Sequence, residues 1–526
     1  MEQLHELKHK LDYLQQQDAN DAICCVEAGN ILEFLKIKVV EKIREFLLKK
    51  IYLLRKPMAN YQILDSSMLK YRFYFEFLVS NDRRIADEIR GEYADTMSKV
   101  LFTYFRTYIG QLMKLQLDDV ATKDDLLGAD DSSRSTSIFS TRQNPRSATV
   151  FTLGTRASVI EGDIEAPIIV PHTAMQNSKR FHFEVLFRSA AYALLDNACR
   201  EYVFLCDFFM VSDKSAFEFF NQVMCKAIMI KNVETHVSNS FDCIALTLCV
   251  RIVYHFQALA IERHVTATDG LWEALLKILL SRLNFLFKIN AESLRNTDIP
   301  KLLPLDKRPH YIIRRYAEFY AALRDISSNF SDAKLQQNLN QLENEVNTFL
   351  MKCAKTFNTE KDKLVFYINN YDVICTIVSE RIPEDQLDSQ TCRRLLYAYI
   401  NEYVELQLGN YFGDLVRFVN ICEPLAEQSD VKNLELNAGL LPSITKAFNS
   451  EWKQNIERIN QEIMTSFSNF RNGTAILQNA LTLLIHYHQR FQKLISLPMF
   501  ASSSAKNKLV NIHHLKVEMR KYKPTF

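Results

Sequence analysis

No proline occurs between Pro171 and Pro300, nor between Pro309 and Pro383, and the 526 residues hold only 11 glycines and 12 prolines. Average usage is about 7% and 5%. A sheet protein needs frequent turn residues, and an α/β enzyme needs glycines where backbone approaches ligand. A chain this poor in both is predicted to be all-α, long helices joined by short links. At about 150 residues per compact unit its length allows three or four.

Charge and composition exclude several classes. Net charge is +2, from 64 Lys/Arg against 62 Asp/Glu, so no global field recruits nucleic acid. Met1-Glu2-Gln3-Leu4-His5-Glu6 has no apolar signal core, which predicts a chain that is not secreted. The longest uncharged window, Asn472 to Gln489, carries His486, His488 and four Asn/Gln and makes a poor membrane span. The 11 cysteines show no paired spacing; Cys199, Cys206, Cys243 and Cys249 fall in apolar helices, as reduced thiols of a cytosolic protein would.

The stretch 36–79 organises the rest. Lys36 to Lys56 carries eight Lys/Arg against Glu41 and Glu45. Ile37, Val40, Ile43, Leu47, Ile51 and Leu54 recur every three or four residues, which predicts one apolar stripe on a basic helix. Pro57 ends it, since proline disfavours helical geometry in the residue before. Next, Tyr71, Phe73, Phe75 and Phe77 alternate as on a strand. Tyr71, Tyr74, Phe75 and Leu78 equally fit a helix buried between others, favoured by Asp65-Ser66-Ser67 ahead as a cap and Ser80-Asn81 behind. Upstream, Leu4, Leu7, Leu11 and Leu14 are spaced three, four, three, as on a coiled-coil seam that another chain must cover.

Asn81 is predicted to cap a helix reaching about Val120, with Ile85, Ile89, Tyr93, Met97, Leu101, Phe105, Tyr108, Leu112 and Leu115 on its stripe. Asp124–Thr149 reads as a disordered loop, nine of the 18 residues from Ser132 to Thr149 being Ser or Thr. Val150–Pro171 reads as an extended strap. Phe181 to Arg381 is almost continuously helical, broken at Asp298–Pro309; Ile382-Pro383 precedes a last set, in which Gly473 permits a break. The expected divisions are 1–30 as the end of a coiled coil, 31–123 a helical bundle, and 124–180 loop and strap. A middle bundle over 181–382 and a C-terminal bundle over 383–526 complete the series.

Chemistry-bearing motifs are absent. His486 and His488 lie about 200° apart on a helix and cannot share an ion. His513-His514 and Cys24-Cys25 diverge too, and no C-x-x-C, H-E-x-x-H, P-loop, G-x-G-x-x-G or nucleophile elbow occurs. Hence no catalytic residue, cofactor or metal is expected. What remains is surface binding: Lys38, Lys42, Lys49 and Lys50 toward an anionic membrane or acidic partner, and Leu4, Leu7, Leu11 and Leu14 toward a partner helix.

Several strings, in order over nearly the whole chain, carry a resemblance. They are Arg55-Lys56-Pro57-Met58 with Asn60-Tyr61-Gln62-Ile63, Leu69 to Phe73, Phe151 to Arg156, Ala166 to Ala174, and Tyr192 to Asn197. Arg308 to Tyr311, Ile368 to Asp372, Asn469 to Thr474 and Asn511 to Leu515 follow. In these the chain resembles the vacuolar protein sorting-associated protein 52 family. The resemblance implies an elongated rod of stacked helical bundles, exocyst-like, in a multisubunit vesicle tether. It implies retrograde transport from endosomes to the trans-Golgi network, and endosomal recycling, at the cytosolic face of those membranes. Implied partners are vacuolar protein sorting-associated proteins 51, 53 and 54, a syndetin-type subunit, SNAREs and Rab-type GTPases. Family members carry a longer coiled coil ahead of the point where this chain begins; only Leu4 to Leu14 corresponds to it, which reads as a short isoform, a fragment or a mis-assigned start. The alternative from the residues alone is a peripheral membrane or cargo adaptor using the basic helix.

Overall fold

The computed structural model describes residues 2–16, 23–56, 66–117, 121–130, 150–162, 164–223, 227–328, 330, 332–382, 390–428, 431–500 and 508–522. Among them the regular structure is helical, and the one pairing of extended backbone is an isolated parallel bridge between Gln116 and Phe181. The all-α expectation holds. The chain forms two compact units, Met1–Thr122 with Gly154–Phe285, and Lys123–Leu153 with Leu286–Phe526.

The first unit starts with α1 (Glu2–Gln16) and α2 (Ile23–Leu53), which pack on each other. The segment after Leu69 is helical, not extended: α3 spans Arg72–Asn81. It is covered on one side only, with Phe75 and Leu78 buried and Phe73 exposed. α4 (Arg83–Met113) is capped by Asp82, whose carboxylate accepts from the Arg84 and Ile85 amides. Asn81, the predicted cap, is the last residue of α3 instead. A carboxylate in that position is worth about 1 kcal/mol and also meets the helix dipole, so the adjacent aspartate prevails. At about 1.5 Å per residue α4 is about 46 Å long, shorter than the predicted run to Val120. Its stripe from Ile89 to Leu112 is buried, facing α2, α3 and the helices that follow.

The stretch read as a strap contains helical turns, Gly154–Ala157 and α5 (Ser158–Glu161), and then α6 (Pro171–Gln176). Gly154 takes φ +49°, open to a residue without Cβ. Polar side chains pin this segment down. Arg156 is buried and reaches Glu184 at 2.7 Å and Asp242 at 2.9 Å. Arg188 donates to the carbonyls of Ile164 and Ala166, while Tyr108 donates to that of Ile169. Glu184 and Arg188 belong to α7 (Phe183–Phe209), followed by α8 (Asp213–Val223), α9 (Ala227–Asn239) and α10 (Cys243–Glu262). Asp242 also caps α10 by accepting from the Ala245 amide.

The second unit contains the end of α11 (Asp269–Arg295), then α12 (Tyr311–Ser327), α13 (Ala333–Ala354), α14 (Glu360–Arg381) and α15 (Gln390–Glu427). α16 (Val431–Ala438), α17 (Leu441–Ser466), α18 (Phe470–Leu494) and α19 (Ile512–Met519) complete it. α15 is kinked where Phe412 leaves helical geometry at φ −130°, ψ 31°. The start of the expected loop is ordered. Leu127 N–H donates to Asn290 and Gly128 N–H to Ser293, and a Cβ on Gly128 would lie 2.4 Å from the Ser293 carbonyl oxygen. Only glycine fits that approach. The Ser/Thr-rich part, 131–149, lies outside the described residues, as does the Pro57 turn.

The unusual strings of this unit are staples. Asn369 donates to the carbonyls of Lys307 and Ser466 and accepts from Ser468 N–H. Asn370 accepts from His310 N–H at 2.8 Å, and Asn469 donates to Asp372 at 2.9 Å while capping α18. His310 in turn caps α12, its Nδ1 accepting from Ile312. Amides at buried chain crossings satisfy loop carbonyls that water cannot reach. Gly473 does not break the chain: it sits in the first turn of α18, and the break falls at Phe467–Asn469, where Asn469 provides the cap.

Candidate docking surface

Two apolar faces run along α2. One is covered: Val40, Ile43, Leu47, Ile51 and Leu54 are buried, as their spacing predicts. Ile37, expected on that stripe, is 66% exposed. It belongs to a second face with Ile23, Val26 and Phe34, all exposed, Phe34 at 60%. At about 100° per residue these four fall within an arc of about 80°. Ile31 and, on α1, Tyr13 are exposed as well. Isolated exposed apolar residues are ordinary, but a row of them along several helical turns marks a surface that another chain covers.

The leucine seam divides in the folded chain. Leu11 is buried where α1 meets α2, Leu7 is half-buried and Leu14 is 39% exposed; the side chain of Leu4 lies outside the described residues. Part of the seam is therefore satisfied within the chain, by α2.

Part of the basic face is paired with acids. Arg44 Nε donates to Glu88 at 2.7 Å, and Arg55 reaches Glu92 at 2.8 Å and Thr96. Both acids lie on α4, so these pairs join helices that sequence spacing alone does not bring together. The hydrogen bond from Arg44 holds the Glu88 carboxyl below its usual range. Lys42 pairs with Glu45 at 2.9 Å, raising its own pKa through that hydrogen bond. Lys50 lies 5.6 Å from the Phe46 ring centre and 5.4 Å from that of Tyr71, and Lys38 lies 5.9 Å from that of Phe34. Lys49 is exposed. Of the four lysines, Lys42 is paired with an acid, while Lys38 and Lys50 lie near aromatic rings.

Elsewhere, titratable groups serve packing. His488 is buried with Nε2 3.0 Å from the Val510 carbonyl, while His486 on the same helix is exposed. Among the described residues no group of three or more His, Cys, Asp or Glu is arranged to hold a metal. Within that set α10 alone is long and apolar enough to cross a membrane, and 67% of its apolar window is buried inside the protein.

Stacked helices with one apolar face left open are the architecture of an assembly subunit. Two family models match the chain: one described as Vps52, C-terminal, over residues 95–404, and one described as Vps52/Sac2 family, coiled-coil, over residues 1–78. The chain is 44% identical to the vacuolar protein sorting-associated protein 52 homolog of Canis lupus familiaris and 43% to that of Homo sapiens, each covering 100% of this chain and 73% of the relative. Identity to the homolog of Caenorhabditis elegans is 36%, over 100% of this chain and 77% of the relative. Among solved structures, S. cerevisiae Exo70 aligns with a TM-score of 0.48 at 10% identity, over 99% of this chain and 93% of the other. The chain belongs to the Vps52 family.

Proposed function

We propose that this chain is a non-enzymatic subunit of a multisubunit vesicle tether acting in retrograde transport from endosomes to the trans-Golgi network and in endosomal recycling. The open face of α2 at Ile23, Val26, Phe34 and Ile37 carries the reading, because it lies in the stretch matched by the coiled-coil family model. Helices of sister subunits, the vacuolar protein sorting-associated proteins 51, 53 and 54 or the syndetin-type subunit, complete the bundle there by knobs-into-holes packing. Leu7 and Leu14, with Leu4 of the same seam, extend that contact onto α1, while Leu11 is already covered by α2. SNAREs and Rab-type GTPases dock on the assembled complex at the cytosolic face of these membranes.

Co-purification from cells tests this. The wild-type chain is expected to recover sister subunits, and Phe34→Glu with Ile37→Glu to lose them while melting unchanged. Recovery of the same set by the double variant would refute the assignment. A membrane adaptor acting through Lys38, Lys42, Lys49 and Lys50 would instead float with anionic liposomes and lose that on charge reversal; the pairing of Lys42, Arg44 and Arg55 speaks against it.

A further inference from the structure

Away from the α2 face, a hollow of about 1010 Å³ lies between the C-terminal half of α4 and α9. Phe102, Arg106 and Gly110 line it from α4; Lys231, Asn232 and Thr235 line it from α9. A second hollow of about 490 Å³ shares Phe102, Arg106 and Gly110 and continues the trough to Lys114. The combined space exceeds what a small ligand requires, and its near end falls in the usual range for one.

Among the described lining residues the full charges are all positive. No aspartate or glutamate is among the described lining residues of either hollow, and the sequence has none from 96 to 117. Arg106, Lys114 and Lys231 are exposed on the walls. Both flanking helices end at this trough, and free terminal carbonyls would repel an anion. Each end is met by an arginine: Arg180 donates to the Lys114 carbonyl, and Arg282 Nε donates to the Ser240 carbonyl at 3.0 Å. Behind the wall, the carboxylates of Glu184 and Asp242 are occupied by Arg156. Thr107 and Asn232 add neutral polar side chains, while the Thr103 and Thr235 hydroxyls are donated to the Lys99 and Lys231 carbonyls. Separated guanidinium and ammonium groups suit several phosphate oxygens at once.

We propose that the α4–α9 trough binds a compact polyphosphate, a polyol carrying several phosphomonoesters, supplied as a soluble inositol phosphate or as a phosphoinositide headgroup. Gly110 gives a fold-neutral way to close it. A Cβ built there meets nothing within 4 Å, so a side chain at 110 starts into open space and Gly110→Phe is chosen to occupy the trough, and glycine contributes less to helix stability than almost any replacement.

The full chain is titrated calorimetrically with inositol hexakisphosphate. It is also spun with phosphatidylcholine vesicles with and without a phosphatidylinositol bisphosphate. The expected result is saturable binding that weakens with salt and drops at least about tenfold in Gly110→Phe and in Arg106→Glu/Lys231→Glu, with circular dichroism unchanged. Binding of the soluble probe alone assigns the free polyphosphate, and binding of the doped vesicles as well assigns the headgroup. Three results overturn the proposal: no saturable binding of either probe, undiminished binding in Gly110→Phe, or equal affinity for a polyglutamate peptide, which would reveal only a diffuse cationic surface.

Discussion

α2 and α10 are both long and rich in apolar residues, yet they end in opposite situations. Cys243 to Val250 of α10 are buried without interruption, including Ile244, Leu246, Leu248 and Cys249 at 0% exposure. Helix α7, the pinned strap and the Thr266–Thr268 turn surround it. α2 is covered along its second half and left open along Ile23, Val26, Phe34 and Ile37. Apolar content therefore does not tell a core helix from a docking helix. The difference lies in whether the fold provides neighbours on every side, and where it does not, the remaining area is available to a partner.

The comparison is broken most severely at the clamp that starts α10. Arg156→Ala leaves buried Glu184 and half-buried Asp242 without their cation and is expected to cost about 3–5 kcal/mol in urea denaturation; an unchanged midpoint would show that the strap does not hold α10. Leu248→Ala, inside the same helix, is expected to cost about 2–5 kcal/mol through the cavity it leaves. Ile37→Ala, an apolar truncation on the open face, is expected to stay within about 0.5 kcal/mol. A loss at Ile37 comparable to that at Leu248 would mean the α2 face is covered within the chain.

Acid separates the two regions by sign and by window. His236, beside the α10 cap and stacked on Phe183, is held down at about 4 by burial. A histidine depressed from 6.5 contributes stability that is present above pH 6.5 and lost as pH falls through about 4. Melting temperature is therefore expected to decline over that interval, and His236→Phe, which preserves the stack, to flatten the decline. Glu88 beneath α2 is also depressed, but from the carboxylate value of 4.5, so its contribution is lost only at lower pH. The smallest effect is expected from Lys38→Glu/Lys49→Glu, both at exposed positions: stability should shift by less than about 0.5 kcal/mol in thermal melts at low and high salt.

Residue spacing made much of the helical framework legible. The α4 stripe, the Asp298–Pro309 interruption and the restart at Tyr311 are all where local pattern places them. Caps were less legible where two candidates adjoin: Asn81 and Asp82 differ by one position, and only the folded turn shows which carboxylate or amide reaches the free N–H groups. The docking surface was half legible. Ile37 continues a three-four repeat with Val40, but the repeat drifts around the helix, and Ile37 lines up with Phe34, Val26 and Ile23 instead. The run of cations in 36–56 was plain in the sequence, whereas its partial pairing with acids was not, since Glu88 and Glu92 lie some forty residues away on another helix. The Asn369, Asn370 and Asn469 strings stood out as unusual, and their hydrogen bonds to the Lys307 and Ser466 carbonyls, the His310 N–H and the Asp372 carboxylate supply the reason.

By itself the sequence determined that the chain is helical, where most helices run, and which family it joins. Those properties rest on local backbone preference, on periodicity and on strings of residues read in order. Tertiary structure alone decided which apolar rows are buried and which charges are spent on neighbours. It also decided where helix ends meet to leave a cationic trough. Burial and ion pairing depend on residues far apart in the chain arriving within a few ångströms of one another, and no local pattern encodes that distance.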